Sequence, residues 1–166
     1  VVQAFNHCRW RLVVLNLEGI LGRPCSLPEL VDLEPEVVES LRLLAREPTN
    51  MVVVKSPRGK QVLHALLGDT NCVLAAEHGA FIRWGRHANW QAIAPGVDMS
   101  WRAEVEHVLQ YYTERTPGAV IEEREASLAW HYRDCDLGHG AWQAKQLRMA
   151  LQEVSRPLHV TVYAGD

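Results

Sequence analysis

Leu12-Val13-Val14-Leu15, Met51-Val52-Val53-Val54 and Val73-Leu74-Ala75-Ala76 are the stretches that decide the fold of this 166-residue chain. Each is a short, continuous apolar run, as expected for strands buried on both faces of a parallel sheet. Between the first two runs, Pro35 opens a helix at a position where its missing N–H costs no hydrogen bond. Val37, Val38, Leu41 and Leu44 share one face of that helix. Between the second and third, Val62, Leu63, Leu66 and Leu67 mark another helix. Strand–helix–strand–helix–strand with short connections predicts an α/β core with parallel pairing and right-handed crossovers.

Outward from this core the pattern changes after Gly79. Trp101, Val105, Val108, Leu109 and Tyr112 predict an amphipathic helix, with Asp98 or Ser100 as its N-cap. Ala119–Arg124 and Ser127–Arg133 predict a hairpin whose Leu128, Trp130 and Tyr132 face one way and Ser127, Ala129, His131 and Arg133 the other. A helix presenting Ala144, Leu147, Leu151 and Val154 follows, and Pro157 leads into an expected strand over Leu158–Tyr163. The reading is a partial core of three parallel strands over residues 1–79 and an α+β module over 80–166, placed where an inserted cap would begin. Val1 and the turn dipeptide Gly165-Asp166 read as cut ends, with the remaining core strands expected beyond Asp166 and a sheet edge left uncovered.

Composition narrows the function classes. A formal net charge of −3 and the lack of any Lys/Arg run argue against nucleic-acid binding, which needs a basic footprint. No apolar run approaches the roughly 20 residues of a membrane span, and the first residues hold no secretory apolar segment. Cys8, Cys25, Cys72 and Cys135 are widely spaced with no C-x-x-C pair, which suits reduced thiols in the cytoplasm rather than a disulfide framework or zinc site. None of the eight histidines pairs at helical i, i+4 spacing with a third ligand, so no metal site is expected from them.

Two stretches are specific enough to name a family. Ala75-Ala76-Glu77-His78-Gly79-Ala80-Phe81-Ile82-Arg83 resembles the A-E-H-G-x-x-x-R segment of trehalose-6-phosphate phosphatases. Tyr112-Thr113-Glu114-Arg115-Thr116-Pro117-Gly118 with Ser127-Leu128-Ala129-Trp130-His131-Tyr132-Arg133 resembles that family's Y-T-E-R-T-P-G … S-x-x-W-H-Y-R stretch, and Asp98-Met99-Ser100-Trp101 also fits. The resemblance runs from about Arg11 to the end. It implies a haloacid-dehalogenase-like core in which the first strand carries D-x-D-G-T to the carboxyl end of the sheet. In active relatives the first Asp attacks phosphorus and binds Mg²⁺, and the second acts as acid and base.

At that place this chain carries Asn16-Leu17-Glu18-Gly19-Ile20. Asn16 is a neutral amide with no anionic oxygen for covalent attack, and a poor ligand for a hard cation. Glu18 keeps a carboxyl group displaced by one methylene, and a misplacement of ~1 Å can cost ~100-fold in rate. The family's S-G-R pattern falls on Ser56-Pro57-Arg58, where Pro57 removes a backbone N–H from an anion-binding turn. The lysine and the acidic metal motif of the family would lie beyond Asp166.

The resemblance also implies sugar contacts. Glu77 and His78 either touch sugar or are satisfied by local backbone. Glu122 and Arg124 fall on the family's E-x-K pattern, with Arg in place of Lys, and alternate in phase on one strand. They either hold sugar hydroxyls or form a solvated sheet face, and Arg is no neutral replacement for Lys. Trp101 and Trp130 lie on apolar faces and read as core, while Trp84 and Trp90 are uncommitted. Glu114, Arg115 and Arg133 read as bracing charges. The expected function is a catalytically inactive phosphatase-like domain with a structural or regulatory role in trehalose biosynthesis. Its expected partner is a glucosyltransferase, trehalose-phosphate synthase, domain or subunit, and no cofactor is expected. The alternatives are a non-hydrolysing trehalose-6-phosphate sensor and an active Mg²⁺-dependent phosphatase.

Overall fold

The computed structural model describes residues 8–23, 32–156, 158 and 160–164. Cys25, Pro157 and the Gly165-Asp166 turn lie outside them. The three apolar runs form strands β1 (Arg11–Asn16), β2 (Asn50–Lys55) and β3 (Val73–Ala76), all parallel. Helix α1 (Pro35–Arg46) packs on β2, and α2 (Lys60–Leu67) packs on β3. Arg11 ties the starts of β1 and β2 together: its Nη1 donates to Thr49 Oγ1 at 2.9 Å and to Asn50 Oδ1 at 3.1 Å. Asn50 Nδ2 in turn donates to the Leu44 carbonyl near the end of α1 at 3.0 Å. The mixed α/β core with parallel pairing expected from the strand pattern is present.

Its buried layer is Leu41 and Ala45 from α1, Val52 and Val54 from β2, Leu63 and Leu67 from α2, and Leu74 and Ala76 from β3. Each large side chain of this set contributes about 1.5–3 kcal/mol by leaving water. One expectation fails here. The first strand is covered on one face only among the described residues: Val13 and Leu15 are half-buried while Leu12 and Val14 are exposed. A continuous apolar run does not distinguish a strand covered on both faces from one covered on a single face.

Strand β4 (Phe81–Trp84) adds antiparallel to β3 in the same sheet, and β5 (Trp90–Ala92) pairs antiparallel with β4. The sequence boundary at 79/80 therefore cuts through this sheet, and the compact units divide instead as Val1–Pro95 and Gly96–Asp166. Gly85 permits the β4–β5 turn. Its φ is +82°, and a Cβ there would meet Asn71 Oδ1 at 2.9 Å.

The second unit contains α3 (Trp101–Thr113), the hairpin β6 (Val120–Glu123) and β7 (Leu128–His131), and α4 (Leu137–Ser155). Val105, Leu109 and Leu147 form its core, with Trp101, Ile121, Leu128, Trp130 and Leu151 packed around them. Trp101 and Trp130 are thus packing residues, and Trp130 Nε1 donates to Thr113 Oγ1 at 2.9 Å. Asp98 accepts from the Ser100 N–H at 2.9 Å and its hydroxyl at 2.8 Å ahead of α3. Asp136 caps α4 by accepting from the His139 N–H at 2.8 Å.

The strand expected over Leu158–Tyr163 does not form at Val160–Tyr163. The Val160 N–H turns back to the Leu158 carbonyl at 2.7 Å, and Tyr163 is exposed. An apolar run becomes a strand only where a neighbour offers a hydrogen-bonding edge. Of the expected bracing charges, Arg115 meets Glu114 at 3.6 Å in an exposed pair and stacks over Tyr111, while Arg133 joins no ion pair among the described residues.

Candidate functional site

Parallel pairing brings the carboxyl ends of β1, β2 and β3 together, and the candidate residues of the first unit all stand there. The register sets Asn16 opposite Lys55. The chain continues past each strand end into a turn: the Leu17 N–H donates to the Lys55 carbonyl at 2.9 Å, and the Ser56 N–H to the Ala75 carbonyl at 3.0 Å. Leu17 is fully buried and anchors the first turn, which leaves Asn16 exposed and Glu18 largely covered.

Glu18 is held by the second turn. Ser56 Oγ reaches both carboxylate oxygens at 3.0 Å, and Arg58 Nε donates to Oε1 at 3.3 Å. The Arg58 N–H donates to Ser56 Oγ at 3.0 Å, fixing the hydroxyl between the two charged groups. Ser56 and Arg58 are buried, so this is a partly desolvated carboxylate–guanidinium pair. The hydroxyl and the guanidinium that would serve an anion in this turn already hold an internal carboxylate.

Glu77 and His78 belong to the same assembly through their backbone. The Glu77 N–H donates to the Arg58 carbonyl at 3.0 Å and the His78 N–H to the Ser56 carbonyl at 3.2 Å. Both residues have left-handed backbone, with φ of 49° and 57°. Two non-glycine residues in that region signal a locally strained turn held by its surroundings. The Glu77 side chain is buried beside Gly59, with Oε1 3.9 Å from where a Cβ on that glycine would stand, while His78 is exposed.

The donor set at the end of β1 does not fit Mg²⁺. A hard divalent cation takes oxygen ligands, carboxylates foremost, and here one neutral amide stands beside one carboxylate already engaged by Ser56 and Arg58.

The second unit holds a separate cluster. Glu122 Oε2 accepts from Arg124 Nη2 at 2.6 Å and meets His131 Nε2 at 2.6 Å. Arg124 and Glu122 side chains are 7% and 10% exposed, so they are not a solvated face. Arg124 Nε is buried and has no hydrogen-bond partner among the described residues. Sequence reasoning alone misses His131 as a member of this cluster. The hairpin register carries the signal that could have found it: Glu122 pairs with Ala129, so His131 is its diagonal neighbour on the same face.

Comparison with known proteins agrees with the motifs. The trehalose-phosphatase family model matches residues 14–166. The chain is 36% identical over 154 residues to a trehalose-phosphatase of Schizosaccharomyces pombe, covering 92% of this chain and 19% of that protein. It is 31% identical over 166 residues to the α,α-trehalose-phosphate synthase A of Dictyostelium discoideum, covering all of this chain and 22% of that protein. The chain thus spans about a fifth of the length of these relatives. The C-terminal domain of C. albicans trehalose-6-phosphate phosphatase superposes with a TM-score of 0.94 at 31% identity, over 99% of this chain and 57% of that domain. A chain matched by the family model over nearly its whole length, and carrying both signature stretches, belongs to the trehalose-phosphatase family.

Proposed function

We propose that this chain is a non-hydrolysing phosphatase-like domain with a structural or regulatory role in trehalose biosynthesis. The observation that carries the reading is the end of β1, where Asn16 supplies no nucleophilic carboxylate and Glu18 is tied to Ser56 and Arg58. A nucleophile must be anionic or next to a base to attack phosphorus, and an amide is neither. The acid–base role needs a carboxyl group that can reach a leaving oxygen, and Glu18 instead points into the turn after β2. Relatives named as synthases, each several times longer than this chain, support a glucosyltransferase domain or subunit as the partner. No helix of the described residues is long and apolar enough to cross a membrane, and a cytoplasmic setting suits the thiols.

The test is phosphate release from trehalose 6-phosphate with Mg²⁺ present, at high protein concentration. The expected result is none above the protein-free control. Turnover anywhere near the ordinary enzyme range of about 1–10³ s⁻¹ overturns the reading.

A second reading, sugar binding without turnover, is favoured by the buried Glu122–Arg124–His131 cluster with its unpaired Arg124 Nε. Buried polar side chains with spare donors are suited to hydroxyl recognition. Calorimetric titration with trehalose 6-phosphate separates the two readings. Saturable binding abolished by Glu122→Ala supports the sensor, and no heat supports a purely structural role.

A further inference from the structure

The amino end of the parallel sheet holds a feature that the phosphatase-like reading leaves unused. β1, β2 and β3 begin there, β4 ends there with Trp84 opposite Val73, and α1 and α2 deliver their C-termini to the same edge. A cavity of about 480 Å³ opens between them, lined by Arg42 and Arg46 of α1, His64 of α2, and Arg83, Arg86 and His87 from β4 and its turn. Asp69 is the one carboxylate in the lining. Four guanidinium groups therefore meet one acid in a chain whose net charge is −3.

Local structural roles account for only part of this charge. Arg46 in the last turn of α1 complements the helix dipole. Arg42 pairs with Glu39 at 2.6 Å, an exposed contact that screening weakens. Arg83 is different. It is 5% exposed and donates to the carbonyls of Ala88, Gly68 and Arg86 and to His64 Nδ1 at 3.1 Å. All of these partners are neutral acceptors, and among the described residues neither Arg46, Arg83 nor Arg86 joins an ion pair. The carbonyls offset part of the Arg83 charge, and no carboxylate among the described residues pairs with it, so the lining of four arginines and one acid stays net positive.

The histidines become donors by the same hydrogen bonds. A guanidinium can only donate, so His64 Nδ1 accepts from Arg83 and the ring carries its proton on Nε2. Likewise His87 Nε2 accepts from Arg86 Nε at 2.9 Å, which places that ring's proton on Nδ1. The lining is thus rich in cationic and neutral donors and poor in acceptors.

We infer that this cavity is a binding site for a small phosphate ester, distinct from the phosphatase-like end of the sheet. Guanidinium forks match the geometry of phosphate oxygens, and the volume lies in the range of roughly 300–1,000 Å³ typical of small-molecule sites. It stands about 16 Å from Asn16 and Ser56 by the rise of the six-residue strands. The Ser56 turn therefore cannot contribute to it.

The test is calorimetric titration of the 166-residue chain at low ionic strength with inorganic phosphate and glucose 6-phosphate, with glucose as the uncharged control. Histidine ring resonances followed by NMR report the location. Saturable binding of both phosphates but not of glucose, with shifts at His64 and His87, is expected. Arg46 and Arg86 are exposed, so Arg46→Glu with Arg86→Glu leaves the fold intact and weakens phosphate affinity about tenfold or more. Ser56→Ala leaves that affinity unchanged. The inference is overturned if neither phosphate saturates, if glucose binds as well as its phosphate, or if Ser56→Ala removes binding that the charge reversals spare.

Discussion

Glu18 shows how one methylene group changes a site. Its carboxylate reaches across to the turn after β2, accepts from Ser56 and Arg58, and so satisfies groups that a bound anion would otherwise use. Glu18→Ala removes the carboxylate from a guanidinium that is 4% exposed on its side chain. The expected cost is about 1–3 kcal/mol, less than that of orphaning a fully buried charge, because Glu18 is partly wetted and Arg58 retains other contacts. A lowered midpoint in urea unfolding with an unchanged slope checks this, and an unchanged midpoint would show that the pair contributes nothing. The identities of Ser56 and Arg58 were legible from the motif. Their partner was not, because Glu18 lies 38 and 40 residues away and only the pairing of β1 with β2 brings the two turns together. Cys72 makes the same point for thiols. Burial pushes its pKa up against the lowering effect of its Thr70 hydrogen bond, which only the packed interior decides.

At the scale of elements, α4 owes its place to one apolar stripe closing the second unit's core. Leu147 is 4% exposed and meets Val105 and Leu109 of α3. Leu147→Ala leaves a cavity between the two helices and is expected to destabilise the second unit by about 2–5 kcal/mol. Thermal unfolding followed through tryptophan fluorescence reads this, since Trp101 and Trp130 flank the same cluster. A melting point within error of the parent would contradict the packing. Helices α1 to α4 were legible because apolar residues recurring every 3.6 positions line up on one face only if the chain is helical. The β4–β5 pair was not, since its two strands are short and flank a polar turn with no clear period. Over Leu158–Tyr163 the opposite error arose, where period and composition suggested a strand that found no edge to join.

For the whole molecule, the neutral amide of Asn16 beside a Glu18 already engaged by Ser56 and Arg58 predicts that stability does not depend on Mg²⁺. A site filled at about 100 times its dissociation constant would add roughly 2.7 kcal/mol. The melting temperature is expected to be the same with about 10 mM Mg²⁺ as with a chelator; a rise of several degrees would show that the chain binds the metal. What the sequence alone determined was the α/β class, the family, and the neutral amide of Asn16 at the end of β1, because strand runs, signature stretches and side-chain chemistry are all local properties. Tertiary structure alone decided where the compact units divide, which face of β1 is covered, and that Glu18 occupies Ser56 and Arg58. It also decided that arginines from α1 and the β4 turn converge on one cavity. Each of these depends on which distant segments become neighbours, and that is set by the parallel register and the packing of helices on the sheet.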